Sequence, residues 1–372
     1  MTSSKEAHKH ISTIYFYLTD SCNLRCCHCW IQPKFTGERK GDPQFLELEL
    51  FESIIEQAKP LGLANVKLTG GEPLLHPQIS EILTLIKSQG LGMRVETNGL
   101  LCSQEICRLI ADCKNPFVSI SLEASSSEIH EKIRGVKGCF GEALAGMRNL
   151  VDTGLRPQVI MTVMRSNKDE VEALTDLAKS LGAGSVKINI LQPTARGEKM
   201  HKANETLSIE ELVELGAWVE NKLAKEKNFR IIFGHPQAFR PLSRMFGSNA
   251  DTCGICRILN ILGVLASGRY ALCGIGETVP ELVFGDARTV KLEEVWEYNP
   301  VLNELQAGLP SQLKGICSEC LMNGLCLGSC IAQNYSSTKD LWSPFWYCQK
   351  AHGKGLFPKT RIRPAQQYAI SA

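Results

Sequence analysis

TIYFYLTDSCNLRCCHC, residues 13–29, joins a β-branched and aromatic run to a burst of cysteines. Residues 13–19 have strand composition, and Cys22, Cys26 and Cys29 fall in the loop that leaves the carboxyl end of that strand. The same arrangement recurs downstream. Strands are expected near 65–69, 92–96, 116–121, 157–163 and 185–190, separated by amphipathic helical patterns near 47–59, 78–90, 103–113, 141–153 and 168–181. Six such units predict an α/β fold, a partial (β/α)6 TIM-like barrel open on one side. A doubly wound open sheet is the competing arrangement, and periodicity does not separate the two.

In both architectures chemistry collects where the loops leave the carboxyl ends of the strands. The first such loop carries the cysteines, the second Gly70, Gly71, Glu72 and Pro73, and the third Glu96, Thr97 and Asn98. Ser121 and Glu123 close the fourth strand, and Leu191 and Gln192 follow the sixth. Thr162 and Arg165 are rim candidates by strand position. Polar and glycine-rich signals therefore share one rim, as an active site requires.

The rest of the chain divides by composition. Residues 1–12 read as an N-terminal extension, 13–206 as the barrel and 207–250 as a connector containing a helix near 208–226 and a strand near 229–233. Residues 251–350 form a cysteine-rich region with little periodic core of its own, expected to depend on metal for its fold. Residues 351–372, with four Lys or Arg and two Pro, read as a solvated tail. The 41 basic and 39 acidic residues give a net charge of +2, so no single-sign field points to nucleic acid or an anionic membrane. No apolar run reaches bilayer-spanning length and the start lacks a signal-peptide core, so a cytoplasmic location is expected.

Sixteen cysteines in a thiol-reducing compartment point to metal or redox chemistry rather than disulfides. Three closely spaced thiolates in one loop can wrap a cubane cluster and leave its fourth iron free. Zinc is the simpler alternative. Cys27 matches no ligand position and reads as a loop thiol, and Cys102, Cys107, Cys113 and Cys139 read as buried structural thiols.

The spacing Cys22-x3-Cys26-x2-Cys29, with His28 before the last cysteine and Gly70-Gly71-Glu72-Pro73 after the next strand, resembles the radical S-adenosylmethionine (SAM) superfamily. The resemblance implies a four-iron, four-sulfur cluster that reduces SAM, releasing methionine and a 5′-deoxyadenosyl radical that abstracts a substrate hydrogen. It also implies that Gly70, Gly71, Glu72 and Pro73 receive the methionine amino group, and that Glu96, Asn98, Ser121, Glu123 and Arg134 line the cofactor, where strand position alone also places Leu191.

Downstream, Cys256, Cys273, Cys317, Cys320, Cys326, Cys330 and Cys348 resemble the seven-cysteine SPASM extension of radical enzymes that modify peptides, and Cys253 supplies an eighth. By resemblance, Cys253, Cys256, Cys273 and Cys330 hold an inner auxiliary cluster and Cys317, Cys320, Cys326 and Cys348 an outer one, making three clusters in all. Two zinc ribbons are the alternative reading of the same thiols. Fully ligated auxiliary clusters would relay electrons, with a flavodoxin or ferredoxin as donor. Sulfatase-maturing relatives place an aspartate base after the cysteine matching Cys273; here Gly274 stands there, with Glu277 the only weak substitute. The expected substrate is thus a peptide or protein, crosslinked or oxidised, with any leader grip supplied by a separate protein or by the barrel face. A haem-precursor enzyme is the second reading and a non-catalytic zinc-binding adaptor the third.

Overall fold

The computed structural model of the chain describes residues 10–37, 42–246 and 256–364. Six parallel strands follow one another across the sheet: β1 (Thr13–Tyr17), β2 (Asn65–Thr69), β3 (Gly92–Thr97), β4 (Lys114–Ser121), β5 (Gln158–Val163) and β6 (Ser185–Ile190). Each pairs with the next, without the order reversal of a doubly wound sheet, so the architecture is the partial barrel.

Side-chain alternation decides the two faces. Ile14, Phe16, Leu68, Val95, Ile120 and Ile188 are fully buried against the helices. The helix Leu48–Ala58 turns Phe51, Ile54 and Ile55 inward, and the Phe51 ring lies 4.3 Å from that of Phe16. The alternate residues Thr69, Glu96, Ser121, Thr162 and Asn189 line the concave face instead.

The sheet continues beyond the first six strands. β7 (Ile231–Phe233) adds parallel to β6, and β8 (Ile261–Val264) adds parallel to β1 on the other side. β9 (Arg269–Ala271) and β10 (Val283–Asp286) follow antiparallel, giving ten strands in the order β10-β9-β8-β1-β2-β3-β4-β5-β6-β7. The part of the cysteine-rich region expected to lack a core thus shares the barrel's own sheet, with Leu262, Val264, Tyr270 and Leu272 fully buried. Strands of three or four residues, broken by Gly263 and Gly268, leave too short a pattern to read.

The last described residues are likewise not a solvated tail. Phe357 is buried edge-on against Phe239, 5.6 Å between centroids. The Leu321 N–H donates to the Arg361 carbonyl and the Arg363 N–H to the Glu319 carbonyl, both at 2.8 Å. One apolar anchor among basic residues and prolines is a weak sequence signal, yet here it docks the segment onto the loop of Cys320. No helix among the described residues is long and apolar enough to cross a membrane. Phe357→Ala removes the anchor at a cost of about 3–5 kcal/mol; limited trypsin digestion should then cut at Lys359 and Arg361 well before the rest of the chain, whereas the parent resists.

Candidate active site

The loop after β1 is a short parallel pair, Ser21–Cys22 against Lys34–Phe35, with Cys22 on the first strand and Cys26 and Cys29 between the two. Cys22 and Cys26 are buried and pack with Leu24 and Cys139, and Cys29 joins them at the edge. All three line one cavity of about 200 Å3 at the carboxyl ends of the strands. Cys27 does not line it.

Each buried thiol faces donors. The Leu24 N–H lies 3.4 Å from Cys22 Sγ, Asn98 Nδ2 lies 3.9 Å from the same sulfur, and Arg134 Nη1 lies 3.4 Å from Cys26 Sγ. Burial pushes both thiols up, although Arg134 counters it at Cys26. Such a pocket favours neutral thiols until a cation binds, and N–H···S contacts are a lever on the potential of a bound iron–sulfur cluster. Arg134 Nε and His28 Nδ1 are buried without partners, and both residues line the cavity. The donor set, three thiols with orphaned nitrogens beside them, fits a cluster carrying a polar ligand.

The second loop is fitted to the first. A Cβ on Gly71 would stand 1.9 Å from the Ser21 carbonyl oxygen, so the glycine is required by the cluster loop's backbone. Glu72 is buried, and its oxygens accept from Thr97 Oγ1 at 2.7 Å, the Asn98 N–H at 2.8 Å and the Leu74 N–H at 3.2 Å. Burial still pushes its carboxyl up to about 7. Pro73 opens the short 3-10 turn Pro73–Leu75 and faces away from the cavity lining.

Glu123, also buried, pairs with Arg134 and accepts from the Thr162 N–H at 2.8 Å, while His28 Nε2 lies 3.4 Å away. Burial lowers His28 to about 4, so its ring is neutral at pH 7. Glu96 pairs with Lys67 at 2.7 Å and still lines the cavity, as do Asn98 and Ser121.

Residues 16–178 match the Radical SAM superfamily. Over those residues the chain carries a radical SAM domain. It is similar to the AdoMet-dependent heme synthase of Methanosarcina barkeri, 28% identical over 356 residues covering 92% of this chain and 97% of that one. It is also similar to the mycofactocin maturase MftC of Mycolicibacterium smegmatis, 25% identical over 93% of this chain and 85% of that one. In fold it matches SuiB of Streptococcus suis bound to its precursor peptide SuiA, with a TM-score of 0.70 and 17% identity over 92% of this chain and 76% of that one.

Away from the radical SAM motif, the structure gathers the other thiols into two groups. Cys317, Cys320, Cys326 and Cys348 line one small apolar cavity with Pro236, Phe345 and Phe357. Cys330 lies near enough to raise both Cys256 and Cys273, Cys273 also raises Cys256, and burial pushes Cys273 up to about 12. Cys253 lies outside the described residues. Backbone N–H groups of Ile258, Ile275 and Gln333 point to the sulfurs of Cys256, Cys273 and Cys330.

Gly274 leaves no room for the aspartate of sulfatase-maturing enzymes, because a Cβ there would lie 2.3 Å from the buried Tyr17 ring and 2.6 Å from its hydroxyl oxygen. Glu277 is exposed at the end of the turn Gly274–Glu277 and does not line the radical SAM cavity.

Leu191 faces a separate apolar cavity behind β5 and β6, not the cavity of the cysteines. It was expected at the cofactor by strand position, but it packs with Ile133, Met164 and Cys27 instead of lining the cavity of the cysteines. Arg165 is held by both oxygens of Glu211 at 2.7 and 2.8 Å, and Gln192 lines neither cavity. Sequence reading missed Trp30, Asn189 and Arg196, which do line the site. Arg196 donates to the Cys26 carbonyl at 3.3 Å and the Pro33 carbonyl at 2.8 Å. Its only signal was an arginine in the non-periodic segment that follows the sixth strand.

Gly71→Ala should displace the cluster loop, and iron bound after anaerobic reconstitution should fall by about four per chain, one cubane. Arg134→Met strands the Glu123 carboxylate and should cost about 3–5 kcal/mol, seen as a lower apparent Tm, with Arg134→Lys recovering part of it.

Proposed function

We propose that this radical SAM enzyme modifies a peptide or protein, abstracting a hydrogen atom to form a crosslink or an oxidised side chain. The observation that carries the reading is the shared cavity, in which Cys22, Cys26 and Cys29 meet Gly70, Gly71, Glu96, Asn98, Ser121, Glu123 and Arg134. A four-iron, four-sulfur cluster on the three thiols, with SAM on its open iron, would supply one-electron cleavage to a 5′-deoxyadenosyl radical. The chain's own groups have matching tasks. Gly70, Gly71 and Glu72 receive the ammonium of the methionine moiety, the orphaned Arg134 Nε receives its carboxylate, and Glu96, Asn98 and Ser121 offer partners for ribose hydroxyls.

A peptide substrate is supported by similarity to MftC over 93% of the chain and by a fold shared with SuiB, whose structure holds a precursor peptide. Residues 251–350 read as a SPASM domain with an inner cluster on Cys253, Cys256, Cys273 and Cys330 and an outer one on Cys317, Cys320, Cys326 and Cys348. A flavodoxin or ferredoxin supplies electrons, and a separate protein holds any leader peptide. The fifteen described cysteines are free thiols, which suits the reducing cytoplasm. The second reading, a haem-precursor enzyme, is favoured by the 28% identity that extends over 97% of the heme synthase.

Anaerobically reconstituted protein should be brown with about twelve irons per chain, three clusters of four. The triple variant Cys22→Ala, Cys26→Ala, Cys29→Ala should keep about eight and form no 5′-deoxyadenosine. A mass change in a candidate peptide, dependent on SAM, supports the first reading; a SAM-dependent mass change in a haem precursor with no peptide change supports the second. A colourless, zinc-loaded protein overturns both.

A further inference from the structure

The cavity lined by Leu191 is separate from the radical SAM site, draws its walls from the ends of β5 and β6 and from the cysteine-rich region, and has a volume of about 220 Å3. Its walls are apolar: Val163, Leu191, Leu207 and Leu212, all buried. Three residues of the lining, Thr194, Gln333 and Trp346, each carry a buried polar atom without a partner: Oγ1, Nε2 and Nε1 respectively. Gln333 is only 4% exposed. An indole N–H and an amide NH2 can only donate, so what enters must bring acceptor oxygens along with apolar surface. Lys350, whose ammonium lies 5.5 Å from the centre of the Trp346 ring, stands at the exposed mouth with Ser337.

We propose that this cavity is a second recognition site, which takes an apolar side chain of the peptide substrate with the carbonyl or carboxylate oxygens beside it against Gln333, Trp346 and Thr194. The inference rests on the peptide reading. The volume agrees with it, lying below the roughly 300–1,000 Å3 of pockets for drug-sized ligands and so suiting one side chain rather than a four-ring macrocycle. The position agrees too. The Gln333 backbone N–H points to the Cys330 sulfur and Trp346 lies two residues before Cys348, so a residue held here anchors the peptide on the cysteine-rich region while another part reaches the barrel.

Isothermal titration calorimetry on the iron-loaded enzyme, with N-acetyl-leucine, N-acetyl-leucinamide and N-acetylglycine as probes, tests this without turnover. The leucine probes should bind saturably, with Kd on the order of 1 mM, and the glycine probe should not. Preference between acid and amide tells whether a carboxylate or a peptide carbonyl is taken. Trp346→Phe and Gln333→Leu should each weaken binding about 2–10-fold, the worth of one hydrogen bond, and Ser337→Trp, from an exposed position, should abolish it. Visible iron–sulfur absorbance checks each variant's fold, and Ser337→Trp decides where the buried substitutions disturb it. Absence of leucine-probe binding, equal binding of the glycine probe, or binding untouched by Ser337→Trp overturns the pocket. The peptide reading fails separately, if no peptide changes mass.

Discussion

A carboxylate taken out of water must be answered by charge and hydrogen bonds, and in this protein Glu123 is answered by three different elements. Arg134 comes from the helix Ser127–Arg134, the Thr162 N–H from β5 and His28 from the cysteine loop. Arg134 passes the constraint on, because its other nitrogen contacts the Cys26 sulfur. A buried pair of this kind adds little stability in itself, but breaking it strands a charge, so it fixes which loops must meet. Glu72 does the same on the opposite wall through Thr97 and Asn98, and Asn98 reaches Cys22. The cysteine loop is thus clamped from two sides by buried carboxylates that never touch a sulfur themselves.

The sheet explains how the two thiol regions come together. β1 has β2 on one side and β8 on the other, so the strand that delivers Cys22, Cys26 and Cys29 also seats β8, on which the strand leading to Cys273 is paired. Tyr17, at the end of β1, packs its ring under Gly274. A rigid shared sheet fixes the separation of the two thiol groups without a flexible linker. It also explains why the glycine after Cys273 is sterically required: the space that a side chain would occupy belongs to a tyrosine of β1.

The sequence by itself determined the barrel, because alternating strand and helix periods are local and repeated six times, and β2 and β6 fall at 65–69 and 185–190 as read. It also determined the chemistry of the rim, since a three-cysteine loop and a Gly-Gly-Glu-Pro turn are contiguous signals. What only tertiary structure decided were matters of side-chain direction and distant pairing. Leu191 and Asn189 lie two residues apart yet serve different cavities, because the chain leaves the strand between them and period-two alternation no longer holds. Arg196 enters the site from a segment without strong periodicity, Phe357 docks a tail that reads as solvated, and β8 to β10 join a sheet laid down about 250 residues earlier in the chain. Each depends on a partner remote in sequence, and short-range patterns carry no record of such partners.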